Sequence, residues 1–188
     1  MTNTSADQVK SALGRFATGV VVLSVRDGRP PESAPPGPDA LDPDEDFDDP
    51  ADDLAVTLTA LMPVSLFPPI VAIAVDSAGY VAEVLGRRAH WGLSVLASNQ
   101  AALAGRFAVA GRPSARLLLA EEEHHRGAAT GALLLDRAGA TLECVTTDRR
   151  SVGDHLLVTA SVVSATTGSG RNPLVRYDRG YRTLTPRD

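Results

Sequence analysis

A single cysteine, Cys144, stands among 188 residues. One thiol excludes an intrachain disulfide framework and fits a reducing compartment, so a cytoplasmic protein is expected. Cys144 lies in the apolar run Leu-Glu-Cys-Val, which points to a buried structural thiol rather than a nucleophile. No apolar run approaches the ~18 residues that cross a bilayer, and residues 1–16 lack the apolar core of a signal peptide, so no membrane role is expected. Aromatics are also scarce, with four Phe, three Tyr and one Trp. With the basic residues scattered, that excludes a stacking platform for nucleic acid. Metal ligands at useful spacing are missing too. His124 and His125 are adjacent, and neighbours on a helix or strand point apart, so no metal is assigned and residues 117–126 are read as a solvated loop. His90 has no second ligand near it in sequence and reads as a surface or packing residue.

The charge that is present is unevenly placed. The formal net charge is −5, yet residues 27–53 hold eleven Asp or Glu against one Arg, leaving 12 acids and 17 bases elsewhere. The same stretch holds seven of the thirteen prolines and almost no core-forming residue. It cannot offset its own ordering entropy by burial, so it is expected to be a disordered insertion in one domain spanning 1–188. Two readings of it stand: a tolerated surface loop, or an acidic flap over a basic pocket mouth. A basic body with an acidic appendage suits a small ligand carrying phosphate.

The central stretch is Ala55 to Asp76. Thr57 to Leu61 alternates small or polar with apolar residues, and Ile70 to Val75 is unbroken apolar sequence, predicting strand, loop and buried strand. Pro63, Pro68 and Pro69 stiffen the intervening loop, which presses free amides against a flat ligand.

Elsewhere, Ser5 or Asp7 caps a first helix, with Val9, Leu13 and Phe16 on a face expected to lie against the body. Val20 to Val25 reads as a strand buried on both faces. Residues 77–88 read as a turn and short helix, with Ser77 placed to meet a phosphate. Trp91 to Leu96 reads as a strand, followed by a helix from Ser98 or Asn99 with Leu103 and Phe107 inward. From Ala132 onward, turn signals at 136–139, 152–154 and 178–180 separate runs spaced as in an antiparallel barrel. The fold class is therefore mainly β, a barrel with a few short helices.

Several blocks together resemble the flavin reductase-like family of FMN-binding split β-barrels. They are LGRFATGVVVLSV (13–25), TLTALMPVSLFPPIVAIAVD (57–76), SVLASNQAALAGRFA (94–108), LECVTTDR (142–149), GDH (153–155) and YDRGYRTL (177–184). The resemblance implies a homodimer whose groove holds FMN or FAD, reduced by NAD(P)H and passed to a partner monooxygenase. It implies flavin contacts from Thr57, Thr59, Ala60, Leu61, Met62, Ser65, Ser77, Arg106, Phe107 and Asp178. It also places His155 near the nicotinamide, where it acts on the ligand or merely orients a turn. The departures fall in the ligand loop. Ala55 replaces a Gly, Leu61-Met62-Pro63 replace Phe-Thr-Ser, Ser77-Ala78-Gly79 replace Arg-Ser-Ser, and Asp178 replaces a His. Each lost hydrogen bond to a charged group costs about 1.5–3 kcal/mol, so three such losses weaken flavin binding by several powers of ten. Two rivals follow: a flavin-independent barrel that cyclises or rearranges a hydrophobic biosynthetic intermediate, and a non-catalytic partner of an oxygenase.

Overall fold

The computed structural model describes residues 5–28 and 53–184. In chain order its elements are α1 (Ala6–Leu13), β1 (Thr18–Gly19), β2 (Val21–Arg26), β3 (Asp53–Leu58), β4 (Leu61–Leu66), β5 (Pro69–Asp76), α2 (Tyr80–Arg87) and β6 (His90–Val95). After a 3₁₀ turn at Ser98–Gln100 come α3 (Ala101–Phe107), α4 (Ala115–Leu118), β7 (His124–Arg126) and β8 (Leu133–Leu135). The last four strands are β9 (Ala140–Val152), β10 (His155–Thr167), β11 (Leu174–Tyr177) and β12 (Gly180–Thr183).

Seven strands form one sheet in the order β3-β2-β6-β9-β10-β5-β4, antiparallel throughout. Its two edge strands, β3 and β4, are joined in the chain by Thr59 and Ala60 alone. A two-residue link reaches about 10 Å at full extension, so the sheet must roll until its edges nearly meet. The result is a barrel split along one seam.

The strand β2 explains why its sequence is apolar without alternation. Val21, Leu23 and Val25 enter the barrel core with Trp91, Leu93, Ile73 and Val158. Val20 and Val22 point the opposite way, into a second core with Leu103, Phe107, Leu119 and Leu174. A strand covered on both faces has no position for a polar side chain except where a partner exists. Ser24 has one, donating to the Leu133 carbonyl at 2.6 Å. Trp91 is fully buried, and its indole N–H donates to Thr146 at 2.8 Å.

Three expectations are corrected. The proline-stiffened segment is largely strand rather than loop: Leu61–Leu66 pairs with β5, and only Phe67 and Pro68 turn. Residues 117–126 are not a solvated loop, because His124–Arg126 pairs with Leu133–Leu135 as a two-stranded sheet. The first helix does not bury its apolar face. None of its residues is buried, and Phe16 just beyond it is 72% exposed. Of the acidic insertion, residues 29–52 lie outside the described residues, and with them the flap reading. Its flanks belong to the body. Asp27 takes hydrogen bonds from Tyr80 and Arg87, and its carbonyl accepts from Arg88. Asp53 is 2% exposed and receives both arms of the Arg126 guanidinium, at 2.9 and 2.8 Å.

Cys144 is fully buried in the barrel core, and burial first, then the neighbouring Glu143, pushes its thiol up to about 12. It is expected to resist thiol reagents at neutral pH in the native protein and to react only after unfolding, as a timed alkylation with mass readout would show. Removing one partner of a buried ion pair strands the other charge. Arg126→Met should therefore lower stability by about 3 kcal/mol in urea unfolding, and the double variant with Asp53→Leu should recover part of that loss.

Candidate active site

The seam has unequal sides. Along β3 the free edge is covered: Thr57 donates its hydroxyl to the Ala104 carbonyl at 2.8 Å, and Arg112 donates to the Ala55 carbonyl at 2.6 Å and the Val109 carbonyl at 3.1 Å. Along β4 Met62, Val64 and Leu66 stay exposed, and Phe67 at its turn is 95% exposed.

Pro63 sits in this edge strand without breaking it. The Ala74 amide donates to the Ala60 carbonyl at 3.2 Å, and the register continues Leu61↔Ile73, Met62↔Ala72 and Pro63↔Val71. Bonded and non-bonded pairs alternate in an antiparallel ladder, so Pro63 falls at a non-bonded position where no N–H is asked of it. A register shift follows between Pro63 and Ser65.

Register also sorts the side chains into two faces. Leu61 pairs with buried Ile73 and packs against the barrel core. Met62 faces outward with Ala72, which pairs with Thr159; Ala74 pairs with Leu157, and Asp76 with His155. The outer face of β4, β5 and β10 thus carries buried Ala72 and half-buried Ala74 between Met62 and Leu157, and it ends at His155. One strand further, Arg150 pairs with Leu157 and shares this face.

At that end Gly153 turns the chain with φ 61°, a left-handed conformation that favours glycine. Asp154 accepts the Ser77 amide on its carbonyl at 3.0 Å and lies 2.7 Å from His155 Nδ1 through its carboxylate. The His155 hydrogen bond, followed by Asp154's own backbone, holds that carboxyl below its ordinary range. With Nδ1 turned to the Asp154 carboxylate, the Nε2 of His155 is left for a ligand.

The expected site residues therefore divide. Thr59, Ala60, Met62, Ser77 and His155 gather along β4, β5 and the start of β10. Ser65 is nearby, but its hydroxyl already accepts from the Phe67 amide at 3.2 Å. Thr57 is committed to α3. Arg106 contacts the Leu118 carbonyl at 3.4 Å and Glu122 at 3.6 Å, bracing α3 against the segment after α4. Phe107 has no exposed surface and anchors the second core. Asp178 lies in the β11–β12 turn with φ 47°, its amide donating to the Gly14 carbonyl at 2.7 Å. The Tyr177 hydrogen bond and the Asp178 charge hold Arg15 above its ordinary range there. Leu61, expected as a flavin contact, instead packs against the barrel core on the opposite face, and the sequence signals did not point to Arg150 or Leu157, whose membership of the outer face comes only from cross-strand pairing. Among the described residues no group of His, Cys, Asp and Glu could hold a metal ion.

The donor set fits a flat, amphipathic ring. Apolar Met62 and Leu157 with the small Ala74 suit a ring face, while the Thr59 and Ser77 hydroxyls and His155 suit polar ring edges or a ribityl chain. The chain belongs to the flavin reductase-like family: the family model described as a flavin reductase like domain matches residues 13–185. It is 33% identical over 175 residues to the reductase component of 4-hydroxyphenylacetate 3-monooxygenase from Thermus thermophilus, covering 93% of this chain and 94% of that protein. An NADH-dependent FMN reductase, AsuE2 of Streptomyces nodosus subsp. asukaensis, is 30% identical over 180 residues, covering 94% and 84%. Among solved structures, BorF, the flavin reductase component of a bacterial two-component tryptophan halogenase, superposes with a TM-score of 0.78 at 27% identity, covering 97% and 100%.

The carboxyl of Asp154 is depressed in the folded state, so the stability it contributes is present above the ordinary carboxylate range and is lost as pH falls through its lowered value. A carboxyl-detected NMR titration should show that lowered midpoint. His155→Gln, which cannot carry the positive charge, should move it back toward the ordinary range.

Proposed function

We propose that this protein is an NADH-dependent flavin reductase that works as a homodimer in the cytoplasm and supplies reduced FMN or FAD to a separate monooxygenase. The observation that carries this reading is the open outer face of β4 and β5 ending at His155, on a chain whose relatives are flavin reductases along nearly its whole length. The flavin, when bound, supplies the hydride acceptor that takes two electrons from the nicotinamide. The protein's part is to hold two rings in contact and keep water from between them, so no catalytic triad is required.

Met62, Ala74 and Leu157 give the ring an apolar seat. Thr59 and Ser77 offer hydroxyls to its polar tail. His155, oriented by Asp154, presents Nε2 toward the ligand. The lost hydroxyls of β4 make that seat more apolar than the resemblance implies, which shifts recognition from the tail toward the ring. The uncovered apolar face of α1 (Val9 and Leu13), together with Phe16, Leu66 and Phe67, supports a second copy of the chain as the missing cover.

Purified protein with micromolar FMN should oxidise NADH, followed as loss of NADH absorbance; no flavin-dependent oxidation with FMN, FAD or riboflavin would refute the proposal. His155→Ala should lower kcat/KM about tenfold, the worth of one ligand hydrogen bond, without changing the unfolding midpoint by more than about 1 kcal/mol equivalent. Sedimentation should give twice the monomer mass, and Phe67→Asp should shift it toward monomer.

A further inference from the structure

A pocket of about 320 Å³ opens where three segments remote in sequence meet: the turn after β6, the β8–β9 turn and the β10–β11 loop. Its lining includes Ser98, Asn99, Arg137, Ser169, Arg171 and Asn172, with no carboxylate among the lining residues. The backbone fixes its walls. The Ser98 amide donates to the Asn172 carbonyl at 2.7 Å, the Gly139 amide to the Val95 carbonyl at 2.8 Å, and the Gly168 amide to the Gly139 carbonyl at 3.0 Å. Close approach excludes side chains at two points: a Cβ on Gly168 would stand 2.1 Å from the Ala138 carbonyl oxygen, and one on Gly170 2.6 Å from the Ala97 Cβ.

Within this rigid frame, the side chains of Ser98, Asn99, Ser169, Arg171 and Asn172 make no hydrogen bond or ion pair among the described residues. Arg137 gives its Nε to Glu123 at 2.8 Å, so its charge is partly offset from outside the pocket. Arg171 has no such offset among the described residues. The cavity thus presents a guanidinium fork, a second guanidinium at its rim, and hydroxyls and amides held by fixed backbone. That is the complement of a small polyvalent anion with many acceptor oxygens. Its volume is at the small end of ligand pockets, enough for a pyrophosphate and a sugar but not a whole dinucleotide.

We infer that this pocket is an anion subsite that takes the pyrophosphate of a nucleotide. The inference is independent of the flavin reading, since none of its residues belongs to the β4 face. Its carrying feature is composition: two guanidinium groups, two hydroxyls and two side-chain amides line one cavity with no carboxylate, on walls whose backbone is hydrogen-bonded.

The test is calorimetric titration of the full-length protein with inorganic pyrophosphate, ADP and adenosine. Pyrophosphate and ADP are expected to bind, with adenosine at least about tenfold weaker, and both anions to weaken as NaCl rises from about 50 mM to about 500 mM. Arg171→Gln should weaken both anions about tenfold, and Arg137→Gln should weaken them less, because Glu123 already draws on that charge. Arg171 lies on the surface, and thermal unfolding of the variant would confirm an intact fold. Adenosine binding as tightly as ADP, no heat with millimolar pyrophosphate, or an unchanged ADP affinity in Arg171→Gln would each overturn the subsite. Failure here leaves FMN-dependent NADH oxidation untouched, and failure of that oxidation leaves the subsite standing.

Discussion

Closure of the sheet by a two-residue link is the constraint on which the rest depends. Thr59 and Ala60 bring the first and last strands of a seven-stranded sheet side by side without letting them pair. An unpaired strand edge carries free amides and carbonyls that must meet water, protein or ligand. On β3 that demand is met within the chain by Thr57 and Arg112, which draw α3 and the loop after it over the edge. On β4 it is not met, and the strand stays open beside the outer face of β5.

The two cores make this arrangement rigid enough to matter. β2 packs Val21, Leu23 and Val25 into one, and Val22 with the preceding Val20 into the other, so the barrel and its helical cover cannot shift independently. Arg126 with Asp53, and Glu143 with the Ala129 and Thr130 amides, pin the loops at the barrel's side with charge-assisted bonds. The two carboxylates, Asp53 and Glu143, are buried and each is matched by partners, which is the condition under which a buried charge is tolerated.

Much of the fold was legible because its signals are local. Doubly buried β2 reads from an apolar run, and the β9–β10 hairpin from Gly153 between two long alternating strands. The site was less legible for three physical reasons. A proline reads as a strand breaker, yet Pro63 occupies a ladder position that needs no donor, a fact set by the partner strand and invisible in one segment. Phe107 and Thr57 carry the residue types of ligand contacts, but the second core and α3 claim them. Arg150 and Leu157 join the outer face through pairing across β10 and β9, which no spacing rule along the chain encodes. The bare face of α1 is the clearest case: its amphipathic pattern was right, but among the described residues nothing buries that face.

The paired flanks Arg26 and Asp53 are opposite one another in the β2–β3 ladder. Whatever joins them is therefore, in topological terms, a hairpin connection whose ends are already fixed at ladder distance. Closing entropy rises only logarithmically with length, about 0.6 kcal/mol for each doubling. The fold thus carries a splice point at which evolution or an engineer can lengthen, trade or fuse sequence, a foreign domain included, while Asp27 and Asp53 keep the strands in register.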